Sequence, residues 1–168
     1  HAGSLMKQRS PLGLLEGYKK FISRNNEAKE NSQLLLIGYV SDYLLDILNS
    51  NKQEKNITII QDYVPFEIVY NMQKNAAVNV ILEAKFFVSP FLPGKFTHCV
   101  ESNKPILALG PEISEVGRLL GESYKYKSVI DDIDQIADLI EDLYFNWKQN
   151  PESLYLNRKD LEDYLSCN

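Results

Sequence analysis

The chain has 168 residues, of which 44% are hydrophobic and 24% charged, and its formal net charge is −5. That length holds one domain with a substantial core and is short for two, and the composition is that of a globular protein, not a disordered tail. The acidic balance excludes sequence-independent binding of nucleic acid, which needs a basic face, but it leaves room for a small phosphate ligand held by a few local donors.

The opening residues have two readings. His1-Ala2-Gly3-Ser4 is either a vector remnant, or Ala2-Gly3-Ser4-Leu5 is the end of a first strand and its turn. The helix start that follows favours the strand: Ser10-Pro11 reads as an N-cap with proline at the first helical position, and Leu14, Leu15, Tyr18, Phe21 and Ile22 fall on one face. Leu34-Leu35-Leu36-Ile37, Ile57-Thr58-Ile59-Ile60, Val78-Asn79-Val80-Ile81-Leu82 and Ile106-Leu107-Ala108-Leu109 are short, nearly continuous apolar runs, the pattern of strands covered on both faces.

Helical stretches separate these runs. Ser41 caps one with Leu44, Leu45 and Leu48 buried, and Pro65 opens another with Ile68, Val69 and Met72. A fourth covers residues 94–102 and a fifth follows Ser114, stopping near Gly121. Asp131 and Asp132 suit the N-terminal dipole of the most regular helix, whose stripe is Ile133, Ile136, Ala137, Ile140, Leu143, Tyr144 and Trp147. Tyr124-Lys125-Tyr126 reads as an edge strand, and residues 151–168 as a C-terminal helix. Alternating strand and helix predicts an α/β, Rossmann-like, doubly wound parallel sheet, a single domain over residues 1–168.

No run reaches the roughly 18 apolar residues of a membrane span, and no cationic segment leads into a long apolar core as in a signal peptide. Cys99 and Cys167 make no CxxC or zinc spacing; Cys99 reads as a buried free thiol, which favours a reducing, cytoplasmic setting. Two histidines without HExxH offer no metal site. In doubly wound sheets ligands bind beyond the carboxyl ends of the strands, where strand order reverses. Three loops there carry small residues before a helix: one from Gly3 to Arg9, one containing Pro90, Pro93, Gly94 and Lys95, and one from Gly110 to Ser114. Free amides and the cations Arg9 and Lys95 suit an anion. GxGxxG, GxxxxGK[ST] and GxSxG are all missing, so neither an ordinary dinucleotide site, a P-loop nor a nucleophile elbow is predicted.

Taken in order, Ala2-Gly3-Ser4-Leu5 with Arg9-Ser10-Pro11 and Leu14-Leu15-Glu16-Gly17, then Leu34-Leu35-Leu36-Ile37-Gly38, Tyr63-Val64-Pro65, and Ser89-Pro90-Phe91-Leu92-Pro93-Gly94-Lys95-Phe96 through Asn103-Lys104-Pro105 carry a resemblance. The chain resembles the C-terminal, donor-binding domain of retaining GT-B glycosyltransferases of the group 1, family 4-like type, over residues 3 to about 147. The resemblance implies a hexosyltransferase-type enzyme of polysaccharide biosynthesis, cytoplasmic, with peripheral membrane association of the full-length protein. Its partners would be an NDP-sugar, expected to be UDP-linked, and an N-terminal acceptor-binding domain. It implies no metal and no cofactor beyond the donor, and an isolated half that binds nucleotide weakly and transfers nothing.

Carried over by residue, the family's Arg-x4-Lys pair falls on Ser4 and Arg9, so one cation is kept and one lost. Its E-x7-E motif falls on Pro90 and His98, so both carboxylates are replaced. A histidine can hydrogen-bond a ribose hydroxyl but does not offer two acceptor oxygens. The resulting expectation is a nucleotide and diphosphate site made by Gly3, Ser4, Arg9, Val64, Pro93, Gly94, Lys95 and His98, with the base read by the backbone near Val64 and the catalytic residue unassigned. The competing reading is a catalytically degenerate relative acting as a binding or scaffold module. In that case Arg9 and Lys95 are solvated or snorkelling cations and His98 is a partly buried histidine bonded to backbone. A sugar-nucleotide epimerase half, a third option, lacks the cleft carboxylates it would need.

Overall fold

The computed structural model describes residues 1–51 and 55–166; Cys167 lies outside the described residues. In chain order the elements are α1 (Leu12–Arg24), α2 (Asn26–Asn31), β1 (Leu34–Ile37), α3 (Asp42–Asn51), β2 (Ile57–Ile60), α4 (Phe66–Asn75), β3 (Asn79–Leu82), β4 (Val88–Ser89), α5 (Lys95–Glu101), β5 (Ile106–Leu109), β6 (Ile113–Ser114), α6 (Glu115–Leu120), β7 (Lys127–Ser128), α7 (Ile133–Gln149) and α8 (Lys159–Ser166), with a 3-10 turn at Pro151–Leu154 before α8. All strand pairs are parallel: β1 with β2, β3 with β5, β5 with β7, and the short β4 with β6.

The opening residues behave as a strand. Ala2 bridges Ile37 and Leu5 bridges Val40, both parallel, through Gly3 N–H to Ile37 O and Leu5 N–H to Tyr39 O, each 2.8 Å. On the other side the His1 imidazole Nδ1 lies 3.0 Å from Val80 O of β3. The order across the sheet is therefore β2, β1, opening segment, β3, β5, β7. The chain starts near the middle, winds out to β2, then crosses over and winds out to β7, so the strand order reverses beside the opening segment.

Side-chain alternation builds a core on each face. Val80, Leu82, Leu107 and Leu109 join Leu14, Leu15 and Phe21 of α1 and Leu143 of α7. Ile81, Ile106 and Ala108 join Phe96, Cys99 and Val100 of α5, Val116 and Leu119 of α6 and Leu161 of α8. A mostly apolar cavity of about 520 Å³ sits at the amino ends of the strands, lined among others by Leu34, Val78, Val80, Tyr18 and Trp147.

Several boundaries differ from the sequence expectation for visible reasons. Helix α1 starts one residue late: Pro11 takes the N-cap position, and Ser10 Oγ accepts from Leu12 N–H at 3.3 Å. Ser41 precedes α3, but its buried hydroxyl finds no partner, and its carbonyl instead accepts from Leu44 N–H. The expected edge strand at Tyr124-Lys125-Tyr126 is replaced by β7, further along. Tyr124 occupies the edge with its hydroxyl, which accepts from Ile106 N–H and donates to Ile106 O, both at 2.8 Å. The expected C-terminal helix is broken at Asn157, whose φ is +48°. Asn157 N–H donates to Asn103 Oδ1 at 2.7 Å, and the Arg158 guanidinium donates to the carbonyls of Leu119 and Leu120 at the end of α6. Among the described residues no helix is long and apolar enough to cross a membrane.

Candidate functional site

The loop after the opening segment, the loop after β3 and the loop after β5 meet at the carboxyl ends of the strands. Gly3 makes the first approach. Its φ of +142° is one that side-chain-bearing residues rarely adopt, and a Cβ there would lie 2.6 Å from Lys95 Nζ. Gly38, at φ +135°, fits against it, since a Cβ at 38 would lie 2.5 Å from Gly3 O. Two glycines thus let the backbones close up and admit the lysine from α5.

Lys95 is largely buried. Loss of hydration and then the positive Arg9 lower its ammonium from the ordinary lysine range to about 7. Its Nζ lies 3.1 Å from His1 Nε2. Arg9 is half-buried, and its Nε–H is enclosed with no acceptor among the described residues. The charge of Arg9 acts on Lys95, whose Nζ lies against Gly3. Pro93 and Gly94 lead into α5: Pro93 O accepts from Phe96 N–H at 2.8 Å, and Gly94 is exposed with open space where a Cβ would be. Ser4 is half-buried between Gly3 and Leu5.

His98 lies one turn beyond Lys95 on α5 and packs sideways on α4. Its ring is 4.8 Å from the Phe66 centroid and 5.6 Å from that of Tyr70, both edge-on. Glu101 Oε2 lies 3.5 Å from His98 Nδ1 and accepts from Tyr70 OH at 3.2 Å. The neighbours of the ring are thus side chains of α4 and α5, and among the described residues it makes no bond to backbone. Val64 is half-buried just ahead of Pro65 and α4, so its loop borders the His98 cluster. Pro90 is exposed.

Sequence reasoning missed Glu83. It follows β3, is 3% exposed, and lies under Gly110, where a Cβ would come within 2.7 Å of its Oε2. Burial raises its carboxyl above the ordinary carboxylate range, opposed by the hydroxyls of Ser89 and Ser114 and by the charge of Arg9. Its Oε1 has no hydrogen-bond partner. A glutamate directly after an apolar strand run was the available signal, masked because such a position usually reads as a solvated strand end. The rim of exposed aromatics was missed too: Tyr63, Phe66, Phe87 and Phe91 stand at these loops, Phe87 88% exposed. Cys99 is the buried thiol the sequence suggested; burial pushes it up to about 11, so it stays protonated and unreactive. Among the described residues no cluster of three His, Cys, Asp or Glu side chains could hold a metal ion.

No family model matches the sequence, and no curated protein does. Solved structures do resemble it. The N-terminal domain of Candida albicans trehalose-6-phosphate phosphatase superposes with a TM-score of 0.75 at 15% identity, over 100% of this chain and 37% of that one. The catalytic domain of cholesterol-α-glucosyltransferase from Helicobacter pylori gives 0.70 at 15% identity, over 98% and 96%. The UDP-forming α,α-trehalose-phosphate synthase from Burkholderia xenovorans, solved with glucose-6-phosphate, gives 0.64 at 9% identity, over 98% and 42%. The chain thus spans well under half the length of two of these three proteins. With two cores sandwiching a parallel sheet whose order reverses at the opening segment, the chain has the fold of the Rossmann-like half of a GT-B glycosyltransferase.

Proposed function

We propose that this chain is the donor-binding half of a retaining glycosyltransferase that takes an NDP-sugar, UDP-linked. The observation that supports the reading is the packing of Lys95 against the Gly3 backbone, within range of the Arg9 charge, at the carboxyl ends of the strands. A half-buried guanidinium offers a bidentate fork and the lysine a point charge, the two modes by which proteins grip a diphosphate. The backbone near Val64 reads the base, the Pro93-Gly94 turn closes over the phosphates, Ser4 donates to them, and His98 meets the ribose. Uracil as the base fits the description of the Burkholderia protein as UDP-forming. Catalysis is then electrostatic: the fixed cations stabilise the leaving diphosphate as its charge develops, in place of a metal ion. The acceptor and its site belong to a further domain.

Thermal-shift and calorimetric titration of the chain with UDP, GDP, ADP and their sugar conjugates tests this. Stabilisation follows RT ln(1 + [L]/Kd), so even millimolar affinity registers at high ligand. The expected result is a rise in Tm with UDP that Arg9→Ala reduces; unchanged affinity in that variant removes Arg9 from the site. The alternative is a catalytically degenerate scaffold module; the His98 ring, packed on Phe66 and Tyr70 beside Glu101, fits it in being occupied by neighbouring side chains, though not by the backbone bond that reading expects. That reading predicts no response to any nucleotide.

A further inference from the structure

The edge of β1 that faces the opening segment is only partly covered. Leu34 N–H donates to Asn56 O and Gly38 N–H to Ile60 O, so the even-numbered amides of β1 point to β2. The odd-numbered ones point the other way. Ile37 N–H donates to His1 O at 2.9 Å, but Leu35 N–H, two residues earlier on that edge, has no partner among the described residues. The edge of β3 across the gap is alike. Asn79 N–H and Glu83 N–H donate to Pro105 O and Leu109 O on the β5 side, which turns Val80 N–H toward the gap, where it too has no partner among the described residues. Val80 is only 9% exposed, and enclosed backbone amides are almost always paired.

Between these two edges lies the apolar cavity of about 520 Å³. Leu35 and Val80 are among its walls, with Phe21 and Trp147 on the α1–α7 face of the sheet and Val69 and Met72 on the α4–α5 face. The opening segment runs up to the cavity and stops in register with it. Gly3 N–H donates to Ile37 O, and the His1 nitrogen donates to Leu35 O at 2.9 Å. That nitrogen holds the place of a strand amide, yet it is an ammonium. Burial and then the charge of Lys95 lower it to about 5. A peptide amide at the same place carries no charge and accepts burial once bonded.

We propose that the cavity is the seat of an extended apolar segment that leads into His1 through a peptide bond, runs parallel to β1 and β3, and hydrogen-bonds to both, closing the gap in the sheet. In the register set by Ala2 and Ile37, such a segment lies opposite Leu35, Leu34 and Gln33 in turn. Apolar side chains meet it from both faces of the sheet, so it is apolar at successive positions, as strands covered on both faces are. A small apolar molecule fills the same volume but leaves both rows of amides unpaired, which is why the occupant is a strand.

Amide hydrogen exchange read by NMR tests this, on the chain itself and on extended forms of it. In the chain itself the Leu35 and Val80 amides should exchange roughly a hundredfold faster than those of Leu36 and Ile81, which point into the ladders with β2 and β5. Adding Val-Ile-Val-Ile ahead of His1 should slow Leu35 and Val80 to the rate of those neighbours and raise Tm. Adding Ser-Gly-Ser-Gly, which removes the buried ammonium equally, should leave both amides fast. Leu35 and Val80 as slow as Leu36 and Ile81 in the unextended chain, or unaltered by the apolar extension, overturn the proposal. Equal protection by both extensions overturns the apolar character of the occupant. The separate peptide acetyl-Val-Ile-Val-Ile-amide, at equimolar concentration, should protect neither amide; protection matching that of the extension makes the slot a site for a foreign strand and overturns the covalent link. Protection that grows with the concentration of the unextended chain places a second copy in the slot and overturns it likewise.

Discussion

Lys95 shows how a residue proposed to bind a ligand can be at odds with the fold that holds it. An ammonium taken from water beside a guanidinium loses part of its preference for the proton, hence the fall from 10.5 to about 7. The unfolded chain keeps the higher value, so between these limits it binds more protons than the folded one, and stability rises with pH across that window. Below about pH 7 both states are charged and the full cost of enclosing the ammonium persists. Lys95→Met should therefore raise Tm at pH 6–7, and the gain over wild type should shrink to nothing near pH 10.5 in a melting series. A bound diphosphate reverses the balance by favouring the charged amine. Above pH 7, UDP binding should take up a proton and weaken by about tenfold per pH unit. Calorimetry in two buffers of different ionisation enthalpy reads the uptake directly; identical heats would show that Lys95 does not meet the phosphates. The positions of Arg9 and Lys95 at the starts of helices were legible from sequence. Glu83 was not, since one carboxylate after a strand carries no periodic signal and its enclosure depends on Gly110, 27 positions away in a different loop.

The pairing of α1 with α7 shows at the next scale what small residues accomplish. A Cβ at Gly17 would lie 2.6 Å from Ile136 Cγ2, and one at Gly13 would lie 2.1 Å from Ile130 O. These glycines let the two helices approach closely, and the approach sets Arg24 against Asp138 at 2.6 Å and Lys20 against Asp134. Those ion pairs are exposed and add little; the apolar contact carries the pairing. Gly17→Ala should destabilise by roughly 1–3 kcal/mol in urea unfolding, the usual cost of forcing a methyl into a packed contact. Gly94→Ala, with nothing near the new methyl, should stay within about 0.5 kcal/mol. Three of the four apolar runs became strands with the expected ends; β5 is buried throughout and β1 nearly so, whereas β2 is buried only at Ile57 and still keeps its apolar run. Where a side chain substitutes for backbone the signature fails: the phenol of Tyr124 satisfies the start of β5, so the expected edge strand moves along to Lys127–Ser128. Short α2, and β4 with β6, were invisible because elements of six or two residues are too brief to establish a period.

Across the whole molecule, the C-terminal strap fastens the α5–α6 face. Leu161 of α8 is 3% exposed within that core, and Arg158 caps the end of α6. Leu161→Ala should cost roughly 2–5 kcal/mol by leaving a cavity, read as a lower urea midpoint; a value near zero would mean that α8 merely drapes over the surface. Besides the short β4–β6 pair, the hydrogen-bonded ladders form two main blocks, β1–β2 with the opening segment on one side and β3–β5–β7 on the other. Among the described residues no ladder bond crosses between them; His1 to Val80, Lys95 to His1 and Lys85 to Gln8 are polar links across the seam. Gly3 and Arg9 belong to one block, Lys95 and Glu83 to the other. The seam can shear without rupturing any rung, and a pyrophosphate gripped from both sides would act as a rivet across it, coupling occupancy to the stiffness of the entire sheet.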